Sequence, residues 1–441
     1  MNDASRADVM QIFHAALEAA DSREAVRRNL RMDADGLHVG DRRIPLPDGA
    51  RLVVVGAGKG SARMAQAVEE TLGDPIRRGF ISVKDGHRAP TKQIVVREAG
   101  HPLPDERSLT NGQAIIEQVR GLSPHDVALC LLSGGGSALL ENLGEGLTLE
   151  DLRTITKVLM HGGANIVELN CVRKHLSLLK GGQLARWAQP ATVCALILSD
   201  VVGDDLSAIA SGPTCPDPTT FADALAIVQR YAPGTAHEQR LSEVARYLAR
   251  GARGEIAETP KSSDPLFANV HNLIIGSNRL AIEAASRTAA SLGYATEIVT
   301  TFMQGEAREV GKLLAAMARE RIARGEQRVC LLAGGETTVT VRGNGRGGRN
   351  QELALGAAIA LDGVACITLL SAATDGGDGA SDAAGAIIDG ATLARAQAVG
   401  LNAQRVLADN DSHHFFVALG DQIVTGPTLT NVNDVVVMLI E

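Results

Sequence analysis

The sequence predicts an α/β protein of two Rossmann-like domains, with largely parallel sheets flanked by helices and an active site in the interdomain cleft. Short β-branched or leucine-rich runs alternate with longer helical patterns along the chain. Glycine-rich turns follow several of these runs, and parallel sheets bind ligands outside the carboxyl ends of their strands. The length of 441 residues exceeds that of one ordinary domain.

Nine apolar runs are the predicted strands. Their hydrophobicity is nearly continuous rather than alternating, which is typical of parallel sheets covered by helices on both faces. The runs are residues 52–55, 79–83, 94–98, 127–132, 192–198, 272–275, 297–300, 328–332 and 365–370. The predicted helices between them include residues 61–72, 108–118 and 279–292, which are rich in alanine and leucine.

A break in the pattern around residues 251–270 predicts the domain boundary. This stretch concentrates Gly, Pro, Ser and charged residues and lacks periodicity. We therefore predict an N-terminal domain over residues 1–255, a linker over 256–270 and a C-terminal domain over 271–441. The similarity of CLLSGGGS at 130–137 to CLLAGGET at 330–337 is compatible with a duplication. Strand–glycine turns also resemble each other by chance, so both explanations stay open.

Composition argues against several classes of function. Aromatic residues make up 2% of the chain and the formal net charge is −8, so we expect no nucleic-acid partner. No apolar stretch approaches the roughly 18 residues of a membrane span, and the N-terminus does not resemble a signal peptide. The six cysteines form no CxxC pair, which fits reduced thiols. We expect a cytoplasmic protein without a membrane partner, and the oligomeric state stays open, a homo-oligomer included.

The first glycine-rich turn follows the 52–55 run and reads GAGKGS from Gly56 to Ser61. Glycines let the backbone approach an anion, and a helix N-terminus adds free N–H groups. The turn is neither a Walker A loop nor a complete GxGxxG fingerprint, and no acid closes the second strand where a ribose would need it. Lys59 suits a phosphoryl group in transfer. The structural alternative is a solvated lysine in a helix-opening turn.

Two further glycine-rich turns are candidate nucleotide sites. Consecutive glycines cost conformational entropy unless the backbone must approach another group, although a tight strand–helix turn is the structural alternative. The second of these turns precedes the cationic stretch RGNGRGGR at 342–349, whose arginines suit phosphate charge. The predicted nucleotide-binding residues are Gly134, Gly135, Gly136, Ser137, Gly334, Gly335 and Glu336.

Two acidic loops supply candidate metal ligands. Asp200 follows the 192–198 run, and Asp375 lies in the sequence ATDGGDG at 373–379. Aspartates at the carboxyl ends of strands hold Mg²⁺ together with substrate phosphates. About half of the aspartates in these loops are expected to cap turns instead. We predict that Asp200 and Asp375 bind Mg²⁺.

Taken in order, these motifs make the chain resemble the class II glycerate kinases, the glycerate 2-kinases whose C-terminal half is called the MOFRL domain. The likeness covers nearly the whole chain. Its motifs are GAGKGSA at 56–62, EAGHPLPDE at 98–106, LLSGGGSAL at 131–139, NCVRKHLSLLKGGQLA at 170–185, LSDVVGDDLSAIASGPTCPDPTTF at 198–221, GNGRGGRNQELAL at 343–355, ATDGGDG at 373–379 and TGPTLTNVNDV at 425–435.

The resemblance implies transfer of the γ-phosphoryl group of ATP, with Mg²⁺, to the 2-hydroxyl of D-glycerate. It also implies a catalytic pair formed by the lysine of the GKG turn and the arginine of GGRNQE, here Lys59 and Arg349. Two other functions stay open. An NAD(P)H-dependent hydroxypyruvate reductase would need a dinucleotide in the Gly56 turn, where the fingerprint fails. A non-catalytic nucleotide-binding regulator would not need the many charged residues in loops after strands.

Overall fold

The structure, a computed structural model, describes residues 3–232, 234 and 237–441. It divides into two compact units. The N-terminal unit comprises Ser22–Ser199 and Asp204–Ile275. The C-terminal unit comprises the first helix through Asp21, the short segment Asp200–Gly203, and Gly276–Glu441.

Helices cover the sheets of both units. Alanine- and leucine-rich helices between strands are what the sequence predicts, and each of the three named predicted helices overlaps an observed one. The helices are α1 (Asp3–Ala20), α2 (Ser22–Asn29), α3 (Ser61–Leu72), α4 (Glu106–Val119), α5 (Gly136–Leu139), α6 (Leu149–His161), α7 (Ile166–Leu176), α8 (Gln183–Ala188), α9 (Phe221–Tyr231), α10 (Glu238–Ala252), α11 (Asn278–Ser291), α12 (Ala307–Ala323), α13 (Arg349–Ala360), α14 (Thr392–Ala398), α15 (Ala403–Ala408) and α16 (Ser412–Leu419).

Each of the nine predicted strands overlaps an observed strand. The strands are β1 (Leu30–Asp33), β2 (Gly36–Val39), β3 (Arg42–Ile44), β4 (Leu52–Ala57), β5 (Ile76–Lys84), β6 (Ile94–Ala99), β7 (Val127–Leu132), β8 (Thr192–Leu198), β9 (Val270–Gly276), β10 (Ala295–Met303), β11 (Val329–Gly335), β12 (Ile367–Ala373), β13 (Gly385–Asp389), β14 (Gln422–Ile423) and β15 (Asp434–Ile440).

The N-terminal unit is built on a six-stranded sheet in the order β6-β5-β4-β7-β8-β9. Strand β4 pairs in parallel with both β5 and β7, and the β5–β6 and β7–β8 pairs are parallel too. Every residue of β4 and β7 is buried, because helices such as α3 cover the sheet. The turns after β4 and β7 therefore lie at the same edge of the sheet, at the carboxyl ends of two neighbouring strands.

The C-terminal unit contains a mixed sheet in the order β10-β11-β15-β12-β13-β14. Only its β10–β11 pair is parallel among the described residues, and the other four pairs are antiparallel. The prediction of largely parallel sheets is therefore wrong for this unit. A strand buried on both faces is apolar throughout whichever way its neighbours run, so hydrophobicity alone does not indicate strand direction.

The observed units also differ from the predicted domain boundaries. Helix α1 packs in the C-terminal unit, where Val9, Ile12 and Phe13 share a core with α11 and the mixed sheet. The predicted linker, residues 256–270, is part of the N-terminal unit. Its polar residues are not a solvated spacer, because Thr259 is buried and Glu258 accepts a hydrogen bond from His175 of α7. Composition does not reveal such long-range pairing.

Among the described residues, no helix combines the length and hydropathy needed to cross a bilayer.

Candidate functional site

The turn after β4 lies directly against the turn after β7. The backbone N–H of Lys59 donates to the Gly134 carbonyl (2.8 Å), and the Gly60 N–H donates to Ser133 Oγ (2.9 Å). Gly58 has a φ of 143°, and a Cβ there would lie 2.1 Å from Ser133 Oγ. Ser61 Oγ also donates to the carbonyl of Leu131, which is 70 residues further along the chain. The two glycine-rich segments are thus hydrogen-bonded side by side. The structure brings Lys59 and residues 134–137 together.

Gly135 is the residue around which the neighbouring basic side chains gather. It has a φ of 83°, which disfavours any residue with a side chain. A Cβ at this position would lie 2.9 Å from His101 Nε2 and 3.4 Å from Lys59 Cγ. Arg173 of α7 donates to the carbonyl of Ser137 (2.8 Å). Lys59, His101 and Arg173 therefore border the same turn, residues 134–137, which we call the glycine turn.

The electrostatics around the glycine turn are positive. Burial and the charges of four basic neighbours, Lys59 and Arg173 among them, lower the pKa of His101 to about 4. His101 is therefore neutral at neutral pH. Neither Lys59 nor Arg173 forms an ion pair with a residue that the structure describes. A positive, partly buried turn that is rich in glycine is suited to an anion.

Sequence reasoning did not identify His101 or Arg173 as members of one site. Both lie in motifs that carry the family resemblance, EAGHPLPDE and NCVRKHLSLLKGGQLA. Membership of these motifs was the only sequence signal that could have identified them as site residues. In the structure Lys174 and His175 are buried and paired, with Asp217 and Glu258 respectively.

Arg349, the first residue of α13, forms the corresponding cationic feature of the C-terminal unit. Its Nε donates to Asp434 Oδ2 (2.6 Å) and a terminal nitrogen donates to Oδ1 (2.9 Å). The other terminal nitrogen lies 3.0 Å from Glu336 Oε1. Burial opposes the charge, but the hydrogen bonds and the charge of Asp434 raise the pKa of Arg349. The guanidinium is thus a fixed cation whose side chain remains 30% exposed.

The cationic stretch before Arg349 is hydrogen-bonded along its length. Asn410 Oδ1 accepts the N–H groups of Arg342 and Gly343, and Asp411 Oδ1 accepts that of Arg346. Asn410 Nδ2 donates in turn to the buried carboxylate of Glu352. Side chains of the connection between α15 and α16 therefore set the path of this loop.

Packing accounts for the glycines at 334 and 335. A Cβ at Gly334 would lie 1.9 Å from Asn278 Oδ1, and one at Gly335 would lie 2.3 Å from the Met303 carbonyl. Both glycines end strand β11, and the Glu336 side chain faces Arg349. Close approach to other parts of the unit explains these residue types without a ligand.

The predicted metal ligands Asp200 and Asp375 both belong to the C-terminal unit. Asp375 Oδ1 accepts the N–H of Gly377 (3.0 Å), a local turn contact. Asp378 is no candidate, because its two oxygens accept the N–H groups of Asn350 and Gln351 at the start of α13. The described residues contain no group of three or more His, Cys, Asp or Glu side chains placed to hold a metal. Mg²⁺ bound through one or two carboxylates and substrate phosphates would not require such a group.

Comparisons with known proteins cover nearly the whole chain. A family model described as a domain of unknown function (DUF4147) matches residues 8–246, and the MOFRL family model matches residues 329–434. A protein from Thermotoga maritima named D-glycerate 2-kinase is 43% identical over 394 residues, which are 88% of this chain and 91% of that protein. A protein from Agrobacterium vitis named putative hydroxypyruvate reductase is 42% identical over 446 residues, covering 100% and 95%.

A solved structure extends this similarity to three dimensions. The crystal structure of a glycerate kinase from Thermotoga maritima matches with a TM-score of 0.88 and 40% sequence identity, and the match covers 100% of both chains. The similarity to a known crystal structure therefore extends over the whole chain.

Proposed function

Because the chain belongs to the class II glycerate 2-kinases, we propose that it transfers the γ-phosphoryl group of ATP to the 2-hydroxyl of D-glycerate, giving 2-phosphoglycerate. One observation of the site carries the proposal. Lys59 lies where two glycine-rich turns are hydrogen-bonded to each other at the carboxyl ends of parallel strands. That arrangement combines backbone access with a positive charge, which is what a phosphoryl group requires.

Phosphoryl transfer needs positioning and charge neutralisation more than covalent chemistry by the protein. We propose that Lys59 neutralises charge that develops on the transferring phosphoryl oxygens. Its backbone is fixed by the Gly134 carbonyl, while its side chain is only partly buried. A flexible amine on a fixed backbone can follow the phosphoryl group from donor to acceptor.

Arg349 is proposed as the second cation of the reaction. The bidentate contact with Asp434 holds the guanidinium plane, and an arginine so held can present a remaining N–H to an oxyanion. Its contact with Glu336 is the one that a substrate phosphate would compete with, because Glu336 is 44% exposed whereas Asp434 is 1% exposed.

We propose that the backbone of Gly134, Gly135 and Gly136, with Ser137, contacts the substrate oxyanions. Gly334, Gly335 and Glu336 are also proposed to contact the nucleotide, although packing by itself explains both glycines. Asp200 and Asp375 stay our candidates for Mg²⁺, which when bound neutralises nucleotide phosphate charge.

A cytoplasmic location is also proposed, supported by six cysteines that are all free, five of them buried.

The direct test is a product assay. Purified protein with ATP, Mg²⁺ and D-glycerate should form ADP and 2-phosphoglycerate, identified by its phosphorus NMR signal against 3-phosphoglycerate. Lys59→Ala and Arg349→Ala should each lower kcat by about a thousandfold, as loss of a transition-state charge contact does. Lys92→Ala removes an exposed lysine of the N-terminal unit and should leave kcat unchanged.

The reductase name carried by a similar protein defines the competing outcome. Hydroxypyruvate-dependent oxidation of NADH or NADPH, without glycerate-dependent ADP formation, would contradict the kinase proposal. ATP binding without either reaction would indicate a regulator. A Lys59→Ala or Arg349→Ala variant with near-normal turnover would reject the role proposed for that residue.

A further inference from the structure

Arg173 is a partly buried arginine whose donors are not all paired. Helix α7 begins after Asn165, whose side chain accepts the Glu168 N–H in a capping box, so the position of Arg173 near the end of the helix is well fixed. One terminal nitrogen donates to the Ser137 carbonyl (2.8 Å). Its Nε is buried and has no hydrogen-bond partner in the part of the chain that the structure describes. A buried charged donor without a partner is unfavourable unless water or a ligand completes it.

Two serine hydroxyls and an amide lie beside Arg173. Ser137 Oγ and Ser211 Oγ are 2.8 Å apart, and Ser211 Oγ is 3.3 Å from Asn170 Oδ1. Asn170 and Arg173 are three residues apart on α7 and so share a helix face. Ser211 is buried with a φ of 61°, in the left-handed region that a serine rarely adopts. Strained backbone of this kind persists where the surrounding structure requires a particular side-chain position.

No carboxylate of the described residues neutralises Arg173. The acid whose charge acts on it, Glu141, is already held by Lys180, whose amine donates to Oε2 at 2.5 Å. Burial lowers the pKa of Arg173, yet a guanidinium keeps its proton in proteins. The other side chains beside the glycine turn, Lys59 and His101, are basic residue types as well and supply no negative charge.

We propose that Arg173, together with Ser137 and Ser211, binds a compact oxyanion carried by one of the two substrates. That oxyanion is the carboxylate of the hydroxy acid or a phosphate of the nucleotide. Each presents two oxygens that can accept parallel hydrogen bonds from one guanidinium group. The assignment of a substrate rests on the proposed kinase function. The site itself rests on the unpaired Nε, the hydroxyl pair and the uncompensated charge.

The alternative is that Arg173 only ties α7 to the glycine turn through the Ser137 carbonyl. Arg173→Met keeps much of the apolar stem and removes the fork, whereas Arg173→Lys keeps the charge. Arg186→Met is the matched control, because Arg186 is also partly buried in the N-terminal unit but donates to the Gln183 side chain and the Glu258 carbonyl. All three variants are first compared with the wild type by thermal unfolding and circular dichroism.

Steady-state kinetics then separate the two sources of the oxyanion. If Arg173 binds the carboxylate, Arg173→Met raises KM for D-glycerate by about 10- to 100-fold and leaves KM for ATP unchanged. The wild type should then discriminate against the methyl ester of D-glycerate, and the variant should lose most of that discrimination. If Arg173 binds a nucleotide phosphate, KM for ATP rises instead. In both cases Arg173→Lys recovers part of the affinity and Arg186→Met changes neither KM.

A binding measurement separates this inference from the kinase proposal. Millimolar inorganic phosphate should raise the melting temperature of the wild type and of Arg186→Met, and should not raise that of Arg173→Met. This result is expected even if no glycerate kinase activity is found. Unchanged KM values together with an unchanged response to phosphate in a folded Arg173→Met variant would overturn the oxyanion site and leave the kinase proposal standing.

Discussion

The pair between Arg349 and Asp434 offers a quantitative test of how the C-terminal unit contributes to the reaction. Asp434→Asn keeps the size of the side chain but removes its charge and one of its two acceptor oxygens. The two contacts are 2.6 and 2.9 Å long, and the Asp434 side chain is 1% exposed. Water therefore cannot replace the missing acceptor, and the new amide N–H₂ group faces a guanidinium donor.

The expected magnitude follows from these contacts. Losing one charge-assisted hydrogen bond in a buried setting is worth about 1.5–3 kcal/mol. If this loss falls on the orientation of Arg349 in the transition state, kcat drops about 10- to 100-fold, since each 1.36 kcal/mol is about tenfold. Ground-state binding should change less, so KM for both substrates should stay within about threefold of the wild type.

Kinetics of single and double variants provide the assay. Arg349→Lys alone removes the fork, and the Asp434→Asn/Arg349→Lys double variant should be less impaired than the product of the single effects, because the two residues act as a unit. Asp421→Asn is the matched control, since Asp421 is a buried acid of the same unit that pairs with Arg395 and Arg6. It should lower stability without lowering kcat. A folded Asp434→Asn variant with wild-type kcat, or strictly additive effects, would refute the reasoning.

Two further predictions concern the N-terminal unit. Burial opposes the charge of His175, but hydrogen bonds to the Cys171 carbonyl and to Glu258 raise its pKa from 6.5 to about 9, which corresponds to about 3 kcal/mol of stability. This contribution is complete below about pH 6.5 and is lost as the pH rises towards 9. The wild-type melting temperature should therefore fall over that range, and the melting temperature of a His175→Gln variant should depend much less on pH. Gly135→Ala places a methyl group 2.9 Å from His101 Nε2 at a φ of 83°, whereas Gly121→Ala has a φ of 72° and no neighbour within 4 Å. Both should lose about 1 kcal/mol of stability to backbone strain, but only Gly135→Ala should also lower kcat/KM; equal catalytic effects would contradict a role for the glycine turn.

The strand pattern shows how far local sequence information reaches. Runs such as 52–55 and 127–132 predicted β4 and β7, and the rule for carboxyl ends of parallel strands predicted that ligands bind at the turns that follow them. That β4 and β7 are neighbours came from the structure. Strand β15, DVVVMLI, was not predicted, although it is fully buried and lies between β11 and β12. It follows a Pro-, Thr- and Asn-containing stretch near residue 430, and its direction depends on partners about 60–110 residues away, such as Ile367 and Val329.

Local sequence information likewise identified only some residues of the candidate site. Lys59 and the glycine turn could be selected from the sequence because glycine-rich loops after strands often carry function, whereas Arg349 was selected from its cationic stretch by the family resemblance. The packing role of Gly334, against Asn278, could not be distinguished from ligand binding, since both require the absence of a side chain. The buried, unpaired Nε of Arg173 could not be predicted either, because burial and hydrogen bonding depend on residues distant in sequence.

The sequence by itself determined the α/β class, the positions of nine strands and the glycine-rich turns, because hydrophobic period and residue type act over a few neighbouring residues. The choice of Lys59 and Arg349 as a pair came from the family resemblance. Only the tertiary structure decided that α1 belongs to the C-terminal unit, that residues 256–270 are packed rather than a linker, and that Arg173 and His101 border one turn. Those outcomes depend on contacts between segments far apart in the chain, where buried polar groups must find partners that no local pattern encodes.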